Sequence, residues 1–318
     1  MMWEDKNLTP NGFINLYKPV GITSMVAVRQ IKKIPGMPRK IGHAGTLDPL
    51  AKGLLPICVG RGTRLMENVL EGRKRYQVDI KLGAVTETYD AEGTIEIKGS
   101  VDGIGRSEIE QCVQTFIGET QQIPPMYSAV KVDGQRLYKL ARAGKSVPRE
   151  PRLIMIYGIQ ILDFSKSSLT LMVECGKGVY IRSLAHDIGQ KLGCGGYVTG
   201  LERVACGWFH KSEAITLEDL EAKGDCESIG WVGYLEPIDF VLQGLKSVVV
   251  SDLVKPQLLD GMAVELECEP ELTDRSALVR TYDTLGRFLA LVHYDFSNSL
   301  WRPVKVFNET QSSRYAPV

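Results

Sequence analysis

One stretch of the sequence concentrates residue types suited to chemistry in a loop. Residues 41 to 64 hold five glycines, two prolines, four basic side chains (one of them a histidine) and a single carboxylate, that of Asp48. Glycines permit positive φ and close approach of the backbone. Asp48 precedes Pro49, the order of a helix N-cap and a first helical residue, and capping aspartates far outnumber catalytic ones. A glycosidase would need two carboxylates across the scissile bond, and this loop offers one.

The cysteines and the apolar segments argue against a zinc site, a disulfide framework, secretion and membrane insertion. No C-x-x-C pair occurs, so neither a zinc site nor a disulfide framework is indicated, and reduced thiols in the cytoplasm are expected. The amino terminus lacks the apolar segment of a signal peptide, and the most apolar run, residues 153 to 162, is about half as long as a membrane span. The seven cysteines are at positions 58, 112, 175, 194, 206, 226 and 268.

Charge is unevenly distributed along the chain. Lysines and arginines total 38 and acidic residues total 38, so the formal net charge is zero. Residues 1 to 75 hold 13 basic against 5 acidic side chains, and residues 131 to 152 hold 7 against 2. Residues 213 to 274 instead hold 3 basic against 15 acidic. The two basic segments, residues 1 to 75 and 131 to 152, could therefore attract a polyanion. From charge alone, however, the more common interpretation is that such segments form solvated surface.

Periodic apolar residues predict the elements that carry the glycine-rich loop. Residues 12 to 17 alternate like a strand, and Ser24 could cap a short helix after it. Residues 107 to 117 place their apolar side chains at helical spacing and end at Gly118. Residues 76 to 82 predict a further strand.

The second half of the sequence continues this mixture. Residues 152 to 164 and 168 to 174 predict paired strands around a turn, and residues 181 to 192 predict an amphipathic helix. Past residue 245 short strands dominate, with a helical period only around residues 254 to 259.

Strands in runs, with single helices and no regular β-α-β alternation, predict an α+β fold with a mixed, largely antiparallel sheet. We predict a catalytic domain over residues 1 to 245, a small β-rich domain over residues 246 to 309 and a flexible tail over residues 310 to 318.

The glycine-rich loop resembles the catalytic signature of the TruB family of tRNA pseudouridine synthases over GHAGTLDPLAKGLLPICVG, residues 42 to 60. The resemblance covers most of residues 12 to 210 and implies the pseudouridine synthase fold. Beyond residue 245, LLDGMAV suggests the small PUA-type RNA-binding domain that ends many members. The other matching segments are NLYKPVGITS at 15, KRYQVDIKLGAVTETYDAEG at 74, QQIPPMYSAVKVDGQRLYKLARAG at 121, CGKGVYIRSLAHDIG at 175 and GYVTGLERVACGWF at 196.

The resemblance implies three catalytic residues and no cofactor or metal. Asp48 matches the nucleophile that helps detach uracil from its ribose and reattach it through carbon 5. Arg182 matches the arginine that pairs with this carboxylate and keeps it charged, although it could equally be a solvated arginine in the first turn of a helix. Tyr76 matches a tyrosine that stacks on the target base and assists removal of its proton. A half-buried strand tyrosine is the alternative for Tyr76.

Four further residues resemble the family's RNA contacts. His43 matches the element that replaces the stacking lost when the base is flipped out, or it is a hydrogen-bonded loop residue. Tyr180 and Leu201 match walls of the pocket, and either could be ordinary core. Asp90 matches a residue that faces the RNA near the flipped base, with an Asx turn as the alternative.

Two positions are expected to support the loop, and one departs from the family. Lys18 and Pro19 match a Lys-Pro pair beneath the loop, where the proline stiffens the turn and the lysine supports its backbone. Family members commonly have two adjacent arginines where this chain has Glu202 and Arg203. If the first arginine normally touches phosphate, that contact is lost or reversed here.

Residues 121 to 152 resemble an inserted thumb that folds over the RNA loop. Their basic charge, with Tyr127 and Tyr138 interleaved, suits phosphate contacts and stacking on unpaired bases. The cations expected to bind phosphate are Lys131, Arg136, Lys139 and Arg142.

The resemblance thus implies an isomerase that converts uridine to pseudouridine at position 55 in the T loop of tRNA, with no obligatory protein partner and no membrane. Two alternatives remain. A guide-RNA-dependent pseudouridine synthase would share the loop but lack the thumb. A non-catalytic RNA-binding or tRNA-folding protein would carry a vestigial loop, which the joint presence of Asp48, Tyr76 and Arg182 disfavours.

Overall fold

The computed structural model describes residues 10–132, 134–224, 230–269 and 277–317. Within these residues the strands are β1 Gly12–Lys18, β2 Ile41–His43, β3 Ala51–Val59, β4 Lys74–Leu82, β5 Ala84–Val85, β6 Glu96–Ile97, β7 Gly118–Gln122, β8 Lys131–Val132, β9 Gln135–Arg136, β10 Arg152–Ser165, β11 Ser168–Cys175, β12 Gly196–Cys206, β13 Phe209–His210, β14 Ile215–Thr216, β15 Leu235–Glu236, β16 Lys246–Val249, β17 Leu278–Tyr282, β18 Phe288–Asp295 and β19 Leu300–Val306.

The helices lie between these strands and are short. None of those in the described part of the chain has the length and apolar character to cross a membrane. The α-helices are α1 Ser24–Ile31, α2 Met66–Glu71, α3 Arg106–Gln114, α4 Leu137–Arg142, α5 Ile181–Lys191, α6 Leu217–Gly224 and α7 Val254–Leu259. Short 3-10 helices cover Gly60–Leu65, Lys211–Glu213, Gly230–Tyr234 and Ile238–Leu242.

The largest sheet confirms the predicted α+β class. Eight of its eleven strands follow the order β14-β1-β3-β12-β4-β11-β10-β7. Most neighbours are antiparallel, whereas β1 with β14 and β12 with β3 are parallel. Strand β12 therefore lies between β3, which begins three residues after Asp48, and β4, which carries Tyr76. The prediction that residues 41 to 64 form a loop is wrong for most of them, because β2, β3 and a 3-10 helix take up all but the turn around Asp48.

The middle of this sheet is covered on both faces. In β1, Ile14 and Leu16 belong to a core cluster that includes residues of α1, α3 and α5, whereas Phe13 belongs to a second cluster on the opposite face. The alternation of residues 12 to 17 correctly predicts a strand. Both of its faces are buried, because each packs against a different layer.

The predicted small domain is confirmed as a β-rich region. Its sheet has the order β16-β17-β18-β19, and it shares the second core cluster with the main sheet through Tyr282, Phe288 and Phe307. The hydroxyl of Tyr282 also donates to Asp239 Oδ2 at 2.6 Å. Extensive shared burial fixes the two sheets to each other.

The last described residues pack against the rest of the chain. Ser313 Oγ donates to Asp239 Oδ2 at 2.5 Å, and the Tyr315 ring lies 5.7 Å from that of Phe240. The mobility predicted for residues 310 to 318 stays a prediction, but these contacts are those of a docked segment.

Two helix predictions need correction in detail. The N-cap of α1 is Thr23, whose side chain accepts from the N–H of Val26, and not Ser24. The helix α3 ends at Gln114, before Phe116 and Ile117, although both still pack partly buried against the first core cluster. Apolar spacing identifies the buried face but does not fix the last helical residue.

Strand β3 approaches β12 closely at Gly53, and this contact can be tested by substitution. Gly53 has φ +108, and a Cβ there would lie 2.3 Å from the carbonyl oxygen of Arg203. Gly53→Ala should therefore lower the free energy of unfolding by more than Gly21→Ala, which has φ +89 and open space around it. Gly21→Ala should cost about 1 to 2 kcal/mol from backbone strain alone. Urea denaturation measures both, and equal losses would contradict the close approach.

Candidate active site

Asp48 lies in the turn between β2 and β3. The N–H of Ala51 donates to the Asp48 carbonyl at 3.1 Å, and β3 begins at Ala51, so no helix follows Pro49. The helix-capping alternative is therefore wrong, because the turn leads directly into a buried strand. The carboxylate remains free for another use.

The turn is bonded to the segment that leads into α1. The Ser24 hydroxyl accepts from the N–H of Leu47 at 2.8 Å and donates to its carbonyl at 3.0 Å. On the other side of Asp48, the N–H of Gly21 donates to the Pro49 carbonyl at 2.8 Å. These bonds hold the residues before and after Asp48, which fixes the backbone that carries the carboxylate.

Lys18 occupies the space beneath this turn. Its side chain is fully buried, and Nζ donates to the carbonyls of Pro19 at 2.7 Å and Ile22 at 2.8 Å. Burial lowers the pKa of Lys18 to about 8, while the nearby Asp48 carboxylate opposes that shift. These contacts agree with the supporting role predicted for Lys18 and Pro19. The importance of the two residues for activity stays a prediction.

Arg182 is the centre of the site. Only 4% of the residue is exposed. Its Nε lies 2.9 Å from Asp48 Oδ2, and Nη1 lies 3.2 Å from Asp90 Oδ2. Nη1 also donates to the Thr88 carbonyl at 3.0 Å, and Nη2 donates to the Tyr127 carbonyl at 2.8 Å. The planar guanidinium therefore joins the turn of Asp48 to two other segments, residues 88 to 90 and the start of the thumb.

Asp90 lies behind Arg182, away from solvent. It is 2% exposed, and its Oδ1 accepts from the Thr88 hydroxyl at 2.6 Å and from the N–H of Glu92 at 3.1 Å. The bond to Glu92 is that of an Asx turn, which was the alternative for this residue. The RNA-facing role of Asp90 stays a prediction, whereas the contacts described here are those of a residue that orients Arg182.

Two opposing effects set the ionisation of Asp48. Burial raises its pKa, and the Asp90 carboxylate adds to this, whereas Arg182 and Lys18 favour the charged form. The net pKa lies above the ordinary value of an aspartate. The carboxylate is 34% exposed, and no donor in the described part of the chain reaches Oδ1. One oxygen is thus held by Arg182, and the other can meet a ligand.

Tyr76 lies in β4 beside a second buried arginine. Arg203 is 1% exposed, and it donates from Nη1 to the Tyr76 hydroxyl at 3.4 Å and from Nη2 to the Gly45 carbonyl at 2.9 Å. Its Nε donates to the Leu54 carbonyl at 2.7 Å. Burial raises the pKa of Tyr76 to about 12, against the effect of Arg203. The role of Arg203 was not predicted from the sequence, because two of its three partners are main-chain carbonyls and all three lie far away in the chain.

The other predicted pocket residues lie on β2, on β12 and at the start of α5. His43 ends β2 partly buried, and burial lowers its pKa, with Arg203 adding to the shift. Leu201, 7% exposed, shares a core cluster with Tyr76. Tyr180 is the N-cap of α5. Their contacts with RNA stay predictions.

Glu202 forms an ion-pair cluster where the family commonly has an arginine. Its Oε1 accepts from the Tyr17 hydroxyl at 2.9 Å and lies 2.5 Å from Lys211 Nζ, and its Oε2 lies 3.8 Å from Lys52 Nζ. These partners lower the pKa of Glu202 despite its burial. The negative charge that Glu202 brings to a position where relatives commonly have an arginine is therefore offset, because two half-exposed lysines flank its carboxylate.

The predicted thumb leaves the sheet between two paired strands. Gln122 ends β7 and lies opposite Arg152, the first residue of β10. The segment between them contains the β8–β9 hairpin and α4 and is anchored by the fully buried Leu137. All four cations predicted to bind phosphate have exposed side chains in this segment.

Comparison with known sequences agrees with this arrangement. A TruB family pseudouridylate synthase N-terminal domain profile matches residues 32–181, and a tRNA pseudouridylate synthase B C-terminal domain profile matches residues 182–243. The chain is 44% identical over 282 residues to tRNA pseudouridine synthase B of Clostridium novyi (strain NT), covering 88% of this chain and 94% of the relative. It is 40% identical over 297 residues to the protein of that name from Dehalococcoides mccartyi (strain CBDB1), covering 93% and 96%.

Solved structures share the fold. A chain of a Cbf5-Nop10-Gar1 complex aligns with TM-score 0.71 at 28% identity, covering 96% of this chain and 87% of that chain. A chain of an H/ACA RNP bound to a substrate RNA containing 2'-deoxyuridine aligns with TM-score 0.70 at 25% identity and the same coverage. With its relatives at 40% identity and above over most of its length, the chain belongs to the TruB family of pseudouridylate synthases.

Proposed function

We propose that this tRNA pseudouridine synthase isomerises uridine 55 in the T loop, with Asp48 as its nucleophile. The observation that carries the proposal is the ion pair between Arg182 and Asp48, which occupies one carboxylate oxygen and leaves the other accessible. Asp48 is also partly exposed at the surface of the site, so its second oxygen can be reached from outside the protein. The geometry is that of an oriented anion at an open position.

The isomerisation conserves all the atoms of the nucleotide. The bond between N1 of uracil and C1′ of ribose breaks, a bond between C5 and C1′ forms, and the C5 proton is lost while N1 gains one. Asp48 could attack the sugar, attack the base ring or abstract a proton to give a glycal. Each course uses the same carboxylate and the same Arg182 contact.

Tyr76 would lie against the base as a neutral phenol. A pKa of about 12 keeps its hydroxyl protonated at neutral pH, so it would stack on the ring as a neutral phenol and not act as an anionic base. Its hydroxyl oxygen would assist removal of the C5 proton by passing it on to solvent, so that the phenol keeps its own proton count. Arg203 fixes that hydroxyl from behind. We assign Tyr76 the stacking and proton-assisting role, with Arg203 as its support.

Access to C1′ requires that the nucleotide leave the RNA stack. His43 lies on β2 next to the glycine-rich turn, where it could replace the lost stacking. Tyr180 and Leu201 would form walls of the pocket. The segment between β7 and β10 would act as the thumb and bind phosphates, and we assign residues 246 to 309 to a PUA-like RNA-binding domain.

The guide-dependent alternative has support from fold similarity alone. The solved chains align at 25% and 28% identity, whereas relatives named tRNA pseudouridine synthase B reach 40% and 44%. The presence of the segment between β7 and β10 also favours a stand-alone enzyme. We therefore propose that the chain acts in the cytoplasm without an obligatory protein partner.

Incubation of the purified chain with an unmodified T-arm RNA, followed by mapping of pseudouridine, tests this proposal. Pseudouridine should form at position 55 without guide RNA or added protein. Modification at another uridine would refute the assigned position. Activity that required a guide RNA would instead support the alternative.

The role of Asp48 predicts the effect of one isosteric substitution. Asp48→Asn should keep the fold and the RNA affinity, because the amide oxygen can still accept from Arg182. It should lower the single-turnover rate by at least about 1,000-fold, because an amide cannot act as the anionic nucleophile. Asp102→Asn, in an exposed loop, is the matched control and should be unaffected. Substantial activity of Asp48→Asn would exclude it as the nucleophile.

Phosphate binding by the thumb predicts a change in salt dependence. Lys131→Ala combined with Lys139→Ala should weaken RNA binding and make the slope of log affinity against log salt concentration shallower by about 1 to 2. The reason is that a protein with fewer phosphate contacts releases fewer counterions from the RNA when it binds. Lys223→Ala, an exposed cation within the acidic segment, should leave the slope unchanged. A slope altered equally by both changes would contradict the assignment.

A further inference from the structure

Gln122 connects the start of the thumb to the helix that carries Arg182. It is the last residue of β7, and it is 4% exposed. Its Oε1 accepts from the N–H of Tyr180 at 2.8 Å, and its Nε2 donates to the Tyr180 carbonyl at 3.1 Å. Both ends of one carboxamide thus bind the main chain of the N-cap residue of α5.

Two more bonds join the same segments. The Ser183 hydroxyl donates to the Ile123 carbonyl at 3.0 Å, and Arg182 Nη2 donates to the Tyr127 carbonyl at 2.8 Å. The first turn of α5 is therefore bound at three successive points to residues 122 to 127, where the thumb begins.

The first turn of α5 lacks features that usually stabilise a helix N-terminus. The side chain of the N-cap residue Tyr180 accepts no hydrogen bond from the N–H groups of α5, and the first turn of α5 contains a buried arginine and no acidic residue. A cation at a helix N-terminus is unfavourable with respect to the helix dipole. The bonds from β7 and the thumb give this turn hydrogen-bond partners outside the helix.

We propose that Gln122 is a positioning residue for catalysis: by fixing the first turn of α5 it keeps Arg182 against Asp48 and Asp90. The bond from Arg182 to the Tyr127 carbonyl extends the same connection into the thumb. RNA bound by the thumb would therefore affect the position of Arg182 and its ion pair with Asp48. The inference rests on the proposed function, because it assigns Arg182 and Asp48 to the reaction. It predicts that Gln122 affects the chemical step, although it lies outside the loop of Asp48.

A glutamine outside the thumb provides a matched control. Gln122→Met keeps the length of the side chain and removes both bonds without adding charge, and Gln114→Met makes the same change at an exposed position at the end of α3. With Gln122→Met we expect the single-turnover rate on T-arm RNA to fall about 10- to 100-fold, because small displacements of catalytic groups have effects of this order. RNA affinity should change less than twofold, and Gln114→Met should match the wild type.

Thermal unfolding of each variant separates a local effect from a folding defect. If Gln122→Met does not fold, Ser183→Ala removes only the bond to Ile123 and should still lower the rate with unchanged affinity. A variant that loses affinity but keeps its single-turnover rate would overturn the inference, and so would a folded variant with wild-type behaviour. An inactive wild type would instead refute the proposed function itself.

Discussion

A guanidinium withdrawn from water must find partners for its charge and its N–H groups, and the site depends on how this chain satisfies Arg182. Desolvation of such an ion costs several kcal/mol unless anions and acceptors replace the lost water. Asp48, Asp90 and two main-chain carbonyls do so here. Because these partners come from three distant segments, the position of Asp48 depends on the loop after β5 and on the thumb as much as on its own turn.

A second buried arginine applies the same constraint across the sheet. Arg203 in β12 binds the carbonyls of Gly45 and Leu54, on either side of the Asp48 turn, and reaches the Tyr76 hydroxyl in β4. The two arginines share no partner, yet between them they hold the turn and the tyrosine. The acidic residue before Arg203 keeps its place through two lysines, which explains how the chain accommodates Glu202 at this position.

Local apolar patterns predicted most helices and strands, because these elements depend on residues close in sequence. The pairing of Arg182 with Asp48 was predicted from the family motifs, because both residues lie in segments that match them. The helix-capping alternative for Asp48 followed correctly from the Asp-Pro order, but the adjoining residues form the buried strand β3, where sheet pairing outweighs the capping preference. The roles of Arg203, Ser24 and Gln122 could not be predicted, since each binds main-chain groups on remote elements. Side-chain contacts to main-chain atoms leave no residue-type signal at the partner position.

We propose that the geometry of the Arg182 guanidinium, which binds in several directions at once, and not its charge alone, orients Asp48 for the proposed reaction. The most direct test is the single-turnover rate of pseudouridine formation by Arg182→Lys, measured together with its RNA affinity. Lysine keeps the positive charge but cannot reach Asp48, Asp90 and the Tyr127 carbonyl at once. The account predicts RNA binding close to that of the wild type with a rate reduced by at least about 100-fold. A rate within a few-fold of the wild type would contradict it.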